Sequence, residues 1–291
     1  MRPLWRIAVP LAVLAVLWRV ADGPGAWARL RAADPGWLLP SLMAVMAQTV
    51  LSALRWRHLA GALGLALPLR RAVTEYFVAQ AVNQTLPGGI PGDAARAVRS
   101  RGPAGLRVAA EAVVVERLAG QGALFAVMVP AIVLSLAFGR IDWPGWTPWV
   151  IAVAVAALGL LAARLPLPTW AAAFRILYAP QVWPAQVALG LAIVAANLAG
   201  FYCAARATGT ALSPEAIVTL IPLILTAMLI PLSIGGWGWR EGAAAALFPL
   251  AGATPAAGLA ASAAFGAVIL LAALPGVFWL RRGDAAERLD D

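Results

Sequence analysis

The sequence predicts an all-α polytopic membrane protein, with about six transmembrane helices and two re-entrant broken helices arranged as an inverted repeat. Three observations predict it. The 291-residue chain is 62% apolar and only 12% charged, about half the charged fraction of a soluble domain, which needs a solvated shell around its core. Its mean hydropathy is +0.83, and apolar runs such as 148–163 and 258–280 recur along the whole length. Two other apolar segments are cut short by proline–glycine clusters of matching pattern. A water-soluble enzyme, a disordered scaffold and a fibrous protein are excluded.

The first predicted span is 4–21. Arg2 and Arg6 precede it as in a secretory leader, but Trp18, Arg19 and Val20 close it without a small-residue cleavage pattern, so it reads as a retained span. Further full crossings are expected at 37–56, 109–138, 146–163, 183–205 and 255–280. Between them, 72–86 and 214–230 run for barely four turns each. The first then meets Pro87, Gly88, Gly89, Ile90, Pro91 and Gly92; the second meets Pro231, Leu232, Ser233, Ile234, Gly235 and Gly236. Backbone broken in this way cannot face lipid, because its freed N–H and C=O groups would lack partners. It survives at membrane depth only inside protein or against a water-filled cavity.

The two breaks also resemble each other. Pro87, Ile90, Gly92 and Arg96 recur at the spacing of Pro231, Ile234, Gly236 and Arg240, a P-x-x-I-x-G-x-x-x-R pattern repeated 144 residues later, close to half the chain. A single membrane domain then divides into a first repeat over 1–142, a second over 143–282 and a short cytoplasmic tail over 283–291. Each half reads as span, span, re-entrant element, span. Three crossings per half is an odd number, so the second copy lies upside down relative to the first, with a substrate site expected near the midplane where the broken helices meet.

The net charge of +9 comes wholly from 22 arginines, since lysine is absent. With the N-terminus inside, 15 arginines fall on the cytoplasmic side, among them Arg55, Arg57, Arg70 and Arg71, and 6 on the outer side. This bias predicts a multi-pass protein of the cell membrane with both termini cytoplasmic. Arginines between apolar spans set topology and meet anionic head groups, so no nucleic-acid partner is expected. Trp18, Trp37, Trp56, Trp146, Trp183 and Trp279 fall at predicted span ends, as an interfacial belt requires. One cysteine, Cys203, and one histidine, His58, exclude a disulfide framework and a Cys/His metal site. No cofactor is expected.

The candidate site is a polar cavity lined by charged side chains. Asp93 and Arg96 stand three apart after the first break and share a helix face, and a guanidinium there is a bidentate partner for phosphate. Glu116 and Arg117 lie inside an apolar span, where a charge costs about 2.5–3.5 kcal/mol on insertion scales and is kept only where paired or wetted. Arg240 and Glu241 follow the second break; as neighbours they point about 100° apart on a helix, so they are expected to contact other groups rather than each other. Glu75 and Asn83, two turns apart, either face one polar pathway or satisfy local backbone. Pro87, Gly88, Gly89, Gly92, Pro231, Ser233, Gly235 and Gly236 supply the broken-helix backbone.

With these segments in view, the sequence resembles a known family. Ala53-Leu54-Arg55-Trp56-Arg57, the stretch from Tyr76-Phe77 to Asn83 running into Leu86-Pro87-Gly88-Gly89, Gly92-Asp93-Ala94-Ala95-Arg96, Val115-Glu116-Arg117-Leu118, and Ile230-Pro231-Leu232-Ser233-Ile234-Gly235-Gly236 with Arg240-Glu241-Gly242 look like the transmembrane domain of lysylphosphatidylglycerol synthases and the stand-alone flippase-like proteins related to it. The resemblance covers roughly 37–280 and implies movement of an anionic or aminoacylated lipid, or of a lipid-linked sugar, between leaflets. The family's bifunctional members continue into a soluble aminoacyl-transferase domain. Here only 281–291 follow the last span, so that transfer is not carried over and no enzyme activity is expected.

The expected function is therefore a lipid flippase or scramblase whose partner is an anionic or phosphate-bearing membrane lipid, with a homo-oligomer or a lipid-synthesising enzyme as a further possible partner. The alternatives are a membrane-embedded transferase acting on a polyprenyl-phosphate or phospholipid, and a non-transporting partner of a lipid-modifying enzyme.

Overall fold

The computed structural model describes residues 5–86, 88–147, 149, 175–230 and 233–287, and every multi-residue element among them is helical. In chain order these are α1 (Trp5–Val20), α2 (Gly23–Arg31), α3 (Pro35–Ala62), α4 (Leu69–Thr85), α5 (Pro91–Ser100), α6 (Gly105–Phe138), α7 (Trp183–Ala207), α8 (Pro214–Thr226), α9 (Trp239–Leu247) and α10 (Pro255–Glu287). Short 3-10 turns extend α8 over Ala227–Leu229 and α9 over Phe248–Ala251.

Four helices are long and apolar enough to cross a membrane, by length and composition: α3, α6, α7 and the Pro255–Arg281 part of α10. They coincide with four of the six predicted crossings. The described part of α1 has 16 residues, fewer than the roughly 20 that a helical crossing takes. The predicted crossing at 146–163 lies almost wholly outside the described residues. Helix α2 was not anticipated from the sequence; Asp22 caps it by accepting from the Gly25 amide at 3.1 Å.

Hydrogen bonds fix how the long helices run. The Asp34 amide, at the start of α3, donates to the Ala207 carbonyl at the end of α7 (2.9 Å). Ser41 donates to the Gly200 carbonyl (2.7 Å), and Gln186, early in α7, donates to the Arg55 carbonyl, late in α3 (3.4 Å). These helices are thus antiparallel along their length. Phe201 of α7 packs on Phe265 of α10 and on Phe248, with centroids 5.1 Å and 6.4 Å apart. In a lipid solvent burial supplies little drive between helices, so close van der Waals packing through small residues matters more. At Gly258 and Gly276 of α10 a Cβ would run into the Ala244 and Phe77 carbonyls.

The shorter helices form two hairpins. Helix α4 starts at the bundle end that holds the close of α3 and the start of α6. It runs inward past Thr49, whose hydroxyl donates to Gln80 at 2.8 Å. Helix α5 returns along it: Gly92 lies beside Asn83 and Arg99 beside Glu75. Helix α8 starts at the opposite end, where the Glu215 carboxylate accepts from the Arg140 amide just past α6 (2.9 Å) and from the Ser135 hydroxyl. Helix α9 returns to that end, where Ala245 packs with Ala21, Ala26 and Ala256. The hairpins meet between the ends, where the Gly88 amide donates to the Ser233 carbonyl at 3.0 Å.

Candidate functional site

The break after α4 builds the site. Gly88 and Gly89 turn the chain at φ of 92° and 63°, values that L side chains rarely adopt. Asn83 Oδ1 then accepts from the Gly92 amide at 2.8 Å, satisfying one of the donors a helix start leaves free. Asn83 thus serves local backbone, the second of its two expected roles. A Cβ at Gly92 would run into the Ala79 carbonyl, so α5 lies hard against α4 and carries Asp93 and Arg96 to α6.

Five charges meet there. Arg96 Nη2 lies 3.1 Å from Asp93 Oδ1 and 3.3 Å from Glu116 Oε2. Glu116 Oε1 lies 2.5 Å from Arg55 Nη2 and accepts from the Tyr76 hydroxyl at 3.3 Å. Asp93 Oδ2 pairs with Arg117 Nη2 at 2.6 Å. The order Arg55, Glu116, Arg96, Asp93, Arg117 alternates sign and, fully ionised, sums to +1. The Arg96 guanidinium sits 4.4 Å from the ring centroids of both Trp56 and Tyr76. Those centroids are 6.5 Å apart, so the cation occupies the corner between two electron-rich faces.

Burial grades along this chain of charges. The Arg96 and Glu116 side chains are fully buried, that of Asp93 is 12% exposed and that of Arg117 48%. The network therefore opens to the surface at Arg117. At its closed end, Nε and Nη1 of both Arg55 and Arg96 are buried without a hydrogen-bond partner. An unpaired buried donor carries its whole desolvation cost, more so on a cation.

The second break holds a separate pair. Glu241 Oε2 accepts from the Gly238 amide at 2.6 Å, and Glu241 Oε1 accepts from Arg240 Nη2 at 2.6 Å and from Ser262 at 2.9 Å. Arg240 Nε also donates to Ser262 at 3.0 Å. This corrects the expectation that the two neighbours would not contact each other. The short Glu241 side chain is held back over the helix start by the Gly238 amide, and the long Arg240 side chain folds round to reach it. The pair is buried and sums to zero. Among the described residues no hydrogen bond or ion pair joins it to the first network.

Of the other expected residues, Glu75 pairs with Arg99 at 2.6 Å beside the network rather than in it. Gly235 stands at the junction of the breaks, where a Cβ would run into Gln84. Gly236 has φ of 82°. Pro87 and Pro231 lie outside the described residues. Sequence reasoning missed Arg55, Trp56 and Tyr76 as members of the site. Arg55 was counted among the cytoplasmic arginines and Trp56 in the interfacial belt, yet they are 4% and 0% exposed. The available signal was the polar spacing Gln48, Ser52, Arg55, which puts one hydrogen-bonding face on α3.

Comparison with known proteins adds one match. A family model described as "Lysylphosphatidylglycerol synthase TM region" matches residues 4–276. No curated protein and no solved structure matches significantly.

Proposed function

From the premise that this chain belongs to the lysylphosphatidylglycerol synthase TM-region family, we propose that it moves a phosphate-bearing lipid between leaflets, as a flippase or scramblase. In this reading the α4–α5 and α8–α9 hairpins are re-entrant elements of an inverted repeat. They enter from opposite faces of the cell membrane, and both chain termini are cytoplasmic. The polar head group passes along the charged residues while the acyl chains stay in lipid. Asp93, Arg96, Glu116 and Arg117 line one part of that route and Arg240 and Glu241 another, with Asn83 and Glu75 beside it.

The observation that carries the reading is the +1 surplus of the first network together with its unpartnered guanidinium nitrogens. A guanidinium binds phosphate oxygens through directed N–H groups and keeps its charge when buried. The surplus also lies beside broken backbone, which membrane depth tolerates only within protein or along a wetted cavity.

Reconstitution into liposomes with a head-group-labelled phospholipid and an impermeant quencher tests this. Lipid movement above that of empty liposomes, with no new lipid species by mass spectrometry, supports transport. A new lipid product assigns the chain to the transferases instead. Neither outcome leaves a non-transporting partner of a lipid-modifying enzyme.

A further inference from the structure

The elbow between α1 and α2 folds against the start of α10, where Ala21 and Ala26 pack with Ala256. It lies at the end of the bundle away from the first network and borders a cavity of about 320 Å³, within the range of small-ligand sites. Val20, Ala21, Pro255 and Ala256 give this cavity an apolar wall, and Asp22 and Arg29 bring two opposite charges to the same space. Val20 is 77% exposed, so the apolar wall continues onto the outside of the bundle.

The two charges are held apart. Asp22, at φ 52°, accepts from the Gly25 amide through Oδ1 at 3.1 Å. A Cβ at Gly25 would run into that carboxylate, so glycine leaves room for it. Arg29 Nη1 donates to the Thr208 carbonyl just past α7, at 3.3 Å. Among the described residues no ion pair joins Asp22 to Arg29, and neither has another charged partner.

The pair sums to zero, and a ligand that engages both members brings one cation and one anion of its own. A primary ammonium donates to a carboxylate, and phosphate oxygens accept from a guanidinium. A wall that is apolar and open to the outside suits the acyl-glycerol part of an amphiphile.

We infer that the α1–α2 elbow and the start of α10 form a site for a zwitterionic phospholipid whose head group ends in a primary ammonium, of the phosphatidylethanolamine class. The lipid is held at the rim of the bundle. The site uses none of the residues assigned to the head-group route, so it stands or falls separately from the transport reading.

Photolabelling tests it at the site itself. The full chain in mild detergent is given a phosphatidylethanolamine with a diazirine high in one acyl chain, and the adducts are mapped by peptide mass spectrometry. Adducts are expected around Val20 and Pro255. Unlabelled phosphatidylethanolamine should suppress them at about one tenth of the concentration that phosphatidylcholine or phosphatidylglycerol requires. Asp22→Asn keeps the acceptor for the Gly25 amide in a residue type that tolerates positive φ, and should erase the preference over phosphatidylcholine. Arg29→Gln should weaken suppression by all three lipids.

Adducts confined to other segments, or equal suppression by the three lipids in the wild type, overturn the inference. So does a preference that survives Asp22→Asn. Suppression by soluble glycerophosphoethanolamine at the concentration of the lipid also overturns it, and assigns the cavity to a free solute. Lipid movement in liposomes without these adducts would keep transport and discard this site, and adducts without lipid movement would do the reverse.

Discussion

The Gly88 amide donates to the Ser233 carbonyl at 3.0 Å, so each chain break supplies a partner to the backbone of the other. Beside that bond the break glycines hold φ between 56° and 92°. Gly236→Ala would place a Cβ 2.7 Å from Met228 Cγ at φ 82°. A left-handed conformation costs an L residue about 1–2 kcal/mol. Thermal unfolding in detergent should show a loss at least that large, and an unchanged midpoint would mean that the turn has no need of glycine.

Glu116 neutralises two buried guanidinium groups, at 2.5 Å and 3.3 Å. Removing one partner of a buried ion pair costs about 3–5 kcal/mol, because the other charge stays behind. Glu116→Gln should therefore be the most destabilising single change in the network. The companion variant Glu75→Gln breaks only a partly exposed pair with Arg99 and should cost about 1 kcal/mol or less. Equal losses in chemical denaturation would show that the network is wetter than its burial implies.

Arg96 and Arg117 differ in exposure but share Asp93. Replacing either with Gln keeps length and some hydrogen bonding while removing charge, and lipid movement in liposomes should fall while the protein stays folded. Arg96→Lys should rescue only partly, since a compact ammonium lacks the planar fork and stacks poorly in the corner between Trp56 and Tyr76. Transport at wild-type rates by both Gln variants would make these arginines structural.

Glu215 joins the end of α6 to the start of α8, and its carboxyl is held below the usual range, chiefly by the Ser135 hydroxyl and then by the Arg140 amide. A depressed carboxyl contributes stability that is fully present above its ordinary pKa and is lost as pH falls through the depressed value. Stability of the wild type should accordingly drop below the ordinary carboxylate range, while Glu215→Gln should be less stable at neutral pH and flatter in acid. Parallel pH profiles would show that the clamp adds nothing.

Gly276 of α10 lies so close to α4 that any Cβ meets the Phe77 carbonyl. Backbone cannot yield as a side chain can, so Gly276→Ala should destabilise by about 1–3 kcal/mol, the usual range for overpacking. The exposed-face change Leu274→Ala, on the same helix, should lie well below it in the same unfolding assay.

What was legible in the sequence was local. Proline and glycine break helices by their own stereochemistry, so both hairpins could be placed from composition. Asp93 and Arg96 share a helix face by spacing alone, and their 3.1 Å pairing follows from it. Glu116 was conspicuous because an apolar run makes a charge expensive. Arg55 was not, because an arginine at a span end is ordinary. Its partner stands 61 residues away, and only the antiparallel course of α3 beside α6 and α7 brings them together. Trp56 was misplaced for the same reason: a ring near a span end suits the interface until a buried guanidinium claims its face.

The order of residues along the chain sets an order of assembly. All five charges of the first network lie between positions 55 and 117, so they can neutralise one another while the C-terminal half is still being synthesised. The bond from Gly88 to Ser233 joins positions 145 apart and must wait until α8 has been delivered. Because domains form N-terminal first during synthesis, the first hairpin has to persist with its break unmated. A nascent chain arrested after α6 should already protect its arginines, and the junction should close only upon release of the second half.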